Sequence, residues 1–234
     1  FMKERTIYAL GFFDGVHLGH QALLNACLSL AKQNNCTPGV VTFCSHPDAL
    51  VSGKAPALIN TTGDRALLLR GFGMETVTEL YFDKTLMTTH WSVFLNDLVE
   101  LGAAGFVCGS DFRFGAGGSG TAKKLEAFCN SRGLPCAIVP QQELEGVRIS
   151  STHIRGLLEA GELEKANHFL GHPHFLSGKV LHGKGLGHTM GIPTANLELP
   201  QYLVQPKFGV YACTVTFDGK LYAAVTNIGT RPTV

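Results

Sequence analysis

One stretch near the start of the chain constrains the rest: Gly11-Phe12-Phe13-Asp14-Gly15-Val16-His17-Leu18-Gly19-His20. The short apolar run Thr6–Leu10 precedes it, and the segment from Gln21 to Lys32 follows with apolar residues recurring on one helical face. The pattern predicts strand, tight glycine-bearing loop, helix. A helix N-terminus carries unpaired backbone N–H groups and a partial positive charge, which suit a phosphate. His17 and His20 lie three apart around Gly19 at that helix start, so both rings can face one anionic ligand. Gly15 and Gly19 let the backbone come close to it. The competing readings are two incidental loop histidines, or a zinc site that lacks a third ligand at useful spacing.

The remaining sequence continues the alternation. Strands are expected over Pro38–Phe43, Val77–Phe82, Ala104–Cys108 and Pro135–Pro140. Helices are expected from Thr61 to Leu69, from His90 to Leu101 and from Lys123 to Ser131. In the second of these, Trp91, Phe94, Leu95, Leu98 and Val99 make a stripe that reads as core. Such alternation implies a parallel sheet covered on both faces, with sites beyond the carboxyl ends of its strands. The loops after Leu10, Phe43 and Cys108 then share one rim.

After Val147-Arg148-Ile149, three hydroxyls in a row, Ser150-Ser151-Thr152, precede an apolar helical run to Leu170 that is interrupted at Gly161. They read equally as a helix N-cap and as phosphate ligands assisted by Arg155. Beyond His172-Pro173-His174 the helical pattern stops. Short β-like runs follow, and Asp218-Gly219 between two of them is a hairpin signal. The expected organisation is an α/β domain over residues 1–171 and an antiparallel, barrel-like domain over residues 172–234.

Composition narrows the function classes. A net charge of +1 gives no reason to expect nucleic acid or an acidic membrane as partner. Seven cysteines without a Cys-x-x-Cys read as reduced core residues, and no apolar run has the length of a membrane span. The expectation is a soluble, cytoplasmic protein.

His17-Leu18-Gly19-His20 is similar to the H-x-G-H signature of nucleotidyltransferases that transfer an NMP group. Four stretches narrow this further: GFFDGVHLGH (11–20), GSDFRFG (109–115), ISSTHIR (149–155) and GIPTANLELP (191–200). With GKVLHGKGLGHTMGIPTAN (178–196), GVYACTV (209–215) and NIGTRPT (227–233), the whole chain resembles the bifunctional prokaryotic riboflavin kinase/FAD synthetase family.

The resemblance implies a parallel-sheet, Rossmann-like nucleotidyltransferase domain that transfers AMP from ATP to FMN, giving FAD and pyrophosphate. It also implies a β-barrel riboflavin kinase domain that makes FMN from riboflavin and ATP. Both reactions would use Mg²⁺. Carried over by position, His17 and His20 would contact the ATP phosphates, with Gly11, Phe12 and Asp14 lining the same loop. Ser150, Ser151, Thr152 and Arg155 would clamp phosphates from the other side, and Gly109, Asp111 and Phe112 would form part of the nucleotide or flavin pocket. In the second domain Thr194 and Asn196 would hold Mg²⁺ and ATP phosphate oxygens, beside Pro193 and a loop carrying Gly183, Gly185, Gly187 and Gly191. Phe12, Cys44-Ser45 and His153 depart from the family pattern.

The chain stops at Pro232-Thr233-Val234, before the remaining barrel strands and the downstream catalytic carboxylate of that family. An incomplete antiparallel barrel is therefore expected, and with it no riboflavin phosphorylation by this chain. Three other readings compete with this one. A class I aminoacyl-tRNA synthetase disagrees with the neutral charge and with ISSTHIR in place of a lysine-rich signature. A nucleotidyltransferase acting on choline phosphate or pantetheine phosphate leaves PTAN and NIGTRPT unexplained. A non-catalytic flavin or nucleotide sensor has no need of His17, His20, Ser151, Thr152 and Arg155 together.

Overall fold

The computed structural model describes residues 5–181 and 194–229. Five parallel strands form the central sheet: β1 Thr6–Leu10, β2 Thr37–Phe43, β3 Thr76–Leu80, β4 Ala103–Gly109 and β5 Cys136–Val139. Their spatial order is 3-2-1-4-5. The chain winds outward from β1 to β3, then returns to the other side of β1 for β4. At that reversal the loops leaving β1 and β4 diverge, opening a crevice at the strands' carboxyl ends.

β1 and most of β4 are buried, as strands covered on both faces must be. Alternate residues feed two cores. Tyr8 and Leu10 join Phe106 and Cys108 in one, under Phe94, Leu95 and Leu98 of helix Trp91–Glu100 and Leu125, Phe128 and Cys129 of helix Ala122–Arg132. Ile7 and Ala9 join Val40 and Val107 in the other, under Leu24, Cys27 and Ala31 of helix Leu18–Gln33. Trp91 and Val99 lie partly buried against the first core, so the aromatic stripe is core packing. All seven cysteines are free thiols; Cys27, Cys108 and Cys129 are buried and the other four are half-buried.

The helix boundaries are set by their caps. The first helix starts at Leu18 and not at Gln21, because His17 caps it with its own ring. The run to Leu170 is two helices, Ser151–Ala160 and Leu163–Leu170, divided at Gly161, whose φ of 81° ends the first. These two helices, with Ile59 and Ile149, make a third core.

The second region is antiparallel, as expected. Lys179–Leu181 pairs with Asn196–Glu198, and Gly209–Phe217 pairs with Lys220–Ile228. The hairpin turns at Asp218 and Gly219, both at positive φ (47° and 70°), the demand of a two-residue turn matched to strand twist. Among the described residues these are two separate two-stranded sheets. Regular strand begins only at Lys179 and not at Phe175. Between the sheets the chain returns to the first region: Leu58 donates its N–H to Tyr202 O, Val204 to Leu58 O and Lys207 to Leu158 O. Val204 is buried in the third core, beside Ile59 and Leu158.

Candidate functional site

The loop after β1 is tightly wound. Phe13 (φ 59°), Gly15 (φ 81°) and Val16 (φ 41°) all occupy positive φ. For a β-branched valine this is a costly conformation, of a kind that persists at functional sites because surrounding structure enforces it. A Cβ on Gly15 would stand 2.9 Å from Ile59 Cδ1, so only glycine fits the bend.

His17 follows as the helix cap, its Nδ1 accepting the His20 N–H at 3.2 Å. That bond requires an unprotonated Nδ1 and leaves the proton of the neutral ring on Nε2. The His17 and His20 rings stack at 3.6 Å between centroids and 12° between planes. Burial keeps both rings neutral: His17 is brought down to about 4, and His20 well below its usual value. A free imidazole becomes cationic near neutral pH; desolvation opposes that for both of these rings.

A cavity of about 220 Å³ opens over this helix start. Of the residues singled out by sequence, Gly11, Phe12, His17, His20, Gly109, Asp111, Phe112, Ser150 and Ser151 line it. Its far wall comes from residues sequence reasoning left out: Pro140, Gln141 and Gln142 after β5, then Arg148 and Ile149. Arg148 Nη2 reaches Asp111 Oδ2 at 2.7 Å and Gln141 Nε2 reaches the same oxygen at 2.9 Å, a polar rim over the opening. Arg148 stands two residues before Ser150, just outside the ISSTHIR stretch, and its charge is the signal the sequence offers.

Asp14, Thr152 and Arg155 lie behind this wall. The Asp14 side chain turns inward: Oδ1 accepts the Ile59 and Asn60 N–H groups at 2.9 and 3.3 Å, and Oδ2 meets Arg155 Nη1 at 2.9 Å. Burial raises its carboxyl above the usual range, opposed by those two N–H groups and by Arg155. Ser151 Oγ donates to Asp14 O at 2.8 Å, and Arg155 Nη2 donates to Thr152 Oγ1 at 3.1 Å. Ser150 caps the Ser151–Ala160 helix, its Oγ accepting the His153 N–H. Both phosphate-like segments are thus latched together by the side chains expected to bind ligand, although they stand far apart in sequence.

A second arginine lies close to the site, on the helix Thr62–Gly71. Arg65 is wholly buried, with its Nη2 donating to Phe43 O and its guanidinium 4.4 Å from the Phe12 ring centroid. Burial lowers its affinity for the proton from the usual arginine range.

In the second region Thr194 is exposed, and Asn196 is half-buried opposite Leu181. Gly183, Gly185, Gly187, Gly191 and Pro193 lie outside the described residues.

Two family models and several known proteins are similar to this chain. A family model described as FAD synthetase matches residues 2–153, and one described as riboflavin kinase matches residues 170–234. Curated relatives named bifunctional riboflavin kinase/FMN adenylyltransferase include one from Bacillus subtilis, 34% identical over 99% of this chain and 74% of its own length. Another, from Escherichia coli, is 37% identical over 99% of this chain and 75% of its own. A crystal structure described as a macrolide-efflux protein from Streptococcus pneumoniae superposes with a TM-score of 0.86 at 30% identity, covering 98% of this chain and 75% of that one. No helix among the described residues is long and apolar enough to cross a membrane. By both family models and by these relatives, the chain belongs to the bifunctional riboflavin kinase/FMN adenylyltransferase family.

Proposed function

We propose that residues 1–171 carry AMP transfer from ATP to FMN, and that residues 172–234 belong to the part that phosphorylates riboflavin. The observation that carries the first assignment is the shared cavity of His17, His20 and the Ser150–Ser151 helix start. Two helix N-termini, of Leu18–Gln33 and Ser151–Ala160, meet there with their unpaired N–H groups and positive ends.

In this reading an FMN phosphate oxygen attacks the α-phosphorus of ATP, a new P–O bond forms, and the bond to the β-phosphate breaks. Pyrophosphate leaves with the electron pair. The attacking oxygen is already ionised at neutral pH, so no general base and no covalent enzyme intermediate are needed. The protein positions the two substrates and stabilises charge as it moves towards the departing phosphates. His17 does so as a neutral Nε2–H donor, oriented before ATP arrives by its capping bond to His20 N–H. Ser151 and Arg155 hold the loop by way of Asp14 and lie ready to exchange that contact for phosphate oxygens.

Mg²⁺ fits the donors offered in the second region, a Thr194 hydroxyl and an Asn196 amide oxygen two residues on, both hard oxygen ligands. When bound it would offset phosphate charge. Flavins and ATP are the ligands of this reading, in the cytoplasm.

The test is FAD formation from FMN, ATP and Mg²⁺ by the wild type beside His20→Ala. We expect FAD from the wild type and a fall of about 10²–10³ in kcat for the variant, the scale of losing one preorganised donor, because the His20 ring stacks on and holds the His17 donor. Equal rates would remove the first loop from the chemistry, and a folded wild type that makes no FAD would favour a sensor.

A further inference from the structure

Arg65 is a buried cation that the fold leaves without an anion. It is 0% exposed, on helix Thr62–Gly71. Its Nη2 donates to Phe43 O, but Nε and Nη1 are enclosed and meet no acceptor. None of the ion pairs among the described residues involves it. Asp14 and Glu79 act on it only through space: neither forms an ion pair or hydrogen bond with it, and the Asp14 oxygens are turned to Arg155 and to the Ile59 and Asn60 N–H groups. A single bond to a carbonyl needs only a neutral donor. A guanidinium shut away with two idle nitrogens is an expensive way to supply one, and such a group is explained when an anion joins it.

The surroundings say which anion. Arg65 borders the site through Phe12, whose ring lines the cavity and also carries the guanidinium at 4.4 Å. Its charge reaches His20, where it opposes protonation of the ring. Sheet order separates it from the other phosphate ligands. The cavity wall comes from the β1, β4 and β5 loops and from the Ser150 helix start, whereas Arg65 is held against the end of β2, on the opposite flank of β1. That flank is aromatic: Phe12 has His46 edge-on at 4.7 Å, and Phe43 has Phe82 edge-on at 5.5 Å. A nucleotide triphosphate on the β4 side leaves the β2 side for the acceptor, a planar flavin that carries a phosphate monoester.

We infer that Arg65 receives the phosphate monoester of the flavin substrate, with the Phe12 ring moving aside to admit it. This rests on the reading above that FMN is the adenylyl acceptor. His20 lies within reach of the same charge, so an anion seated at Arg65 is held beside the loop where transfer occurs. Arg65 is then a substrate-binding residue that separates FMN from riboflavin, which has no phosphate to offer.

The test is steady-state FAD synthesis by the full chain, wild type beside Arg65→Met and Arg65→Lys, with FMN and ATP varied separately. Arg65→Met is expected to raise KM for FMN at least tenfold and to leave KM for ATP within twofold, and Arg65→Lys to recover part of the loss. One measurement does not depend on how Arg65→Met folds. In ¹H–¹⁵N spectra of wild-type arginine side chains, the Nε–H signal that Arg65→Lys removes should shift with FMN and stay still with riboflavin. A folded Arg65→Met with the wild-type KM for FMN, a rise in KM for ATP alone, or an Nε–H signal indifferent to FMN would each overturn the assignment. A wild type that makes no FAD sinks the acceptor reading instead, a result distinct from any of these.

Discussion

His17 does two jobs whose protonation demands agree. Capping needs a bare Nδ1, burial needs an uncharged ring, and both favour the neutral form. The pH consequence follows from linkage. Its value falls from 6.5 unfolded to about 4 folded, so between those limits the unfolded chain binds the extra proton. The contribution of His17 is complete above pH 6.5 and is lost as pH falls towards 4, about 3 kcal/mol in all. His174, also brought to about 4 by burial, acts in the same window. His17→Asn keeps a capping acceptor and does not titrate, so its urea midpoint should fall less than that of the wild type between pH 6.5 and 4. Parallel curves would show that the ring is free to protonate in the folded protein. Asp14 belongs to this scale too. Asp14→Ala removes the carboxylate from a partly buried Arg155 and leaves it only its bond to Thr152, with an expected loss of about 3 kcal/mol in chemical denaturation. A loss under about 1 kcal/mol would mean that water replaces the carboxylate.

Among elements, the turn from β1 into the first helix carries the most information. Gly19 sits inside that helix, where alanine is ordinarily favoured by up to about 1 kcal/mol. Here a Cβ would lie 3.2 Å from the His17 ring, which must shift to admit it. Gly19→Ala is therefore expected to melt within a few degrees of the wild type while kcat for FAD synthesis drops at least tenfold. Unchanged kcat would show that the ring's placement is not critical. This element was legible in the sequence because its signals are local: an apolar run, glycines at a bend, histidines at a helix start. Sheet alternation was legible for the same reason. The inward turn of Asp14 was not, because Arg155 reaches it across 141 positions. Nor was Arg65, whose charge in an amphipathic helix reads as solvent-facing until Phe12 and the end of β2 are folded over it. The early helix start was missed because histidine is an uncommon cap.

At the scale of the molecule, the two regions are less separable than a boundary at residue 171 implies. Leu58 and Leu203 form a β-bridge, and Val204 fills the third core beside Ile154, Leu158 and Phe169. Composition marks the change from helix to strand correctly but is silent about a short return segment. Val204→Ala should cost about 2 kcal/mol and lower the melting of the FAD-forming half, although it lies in the other. Two melting steps, with the variant affecting only the later-sequence region, would contradict this.

That return segment also has a meaning for synthesis. A ribosome delivers the chain from its N-terminus, and early domains ordinarily close as they emerge. This one completes its third core only when Val204 arrives, more than thirty residues after the helix Leu163–Leu170 ends. Until then Ile59, Ile154 and Leu158 present an open apolar seam. The nascent protein thus passes through an interval in which its first region is nearly folded yet sticky, and an arrest within that interval would hand it to chaperones or proteases.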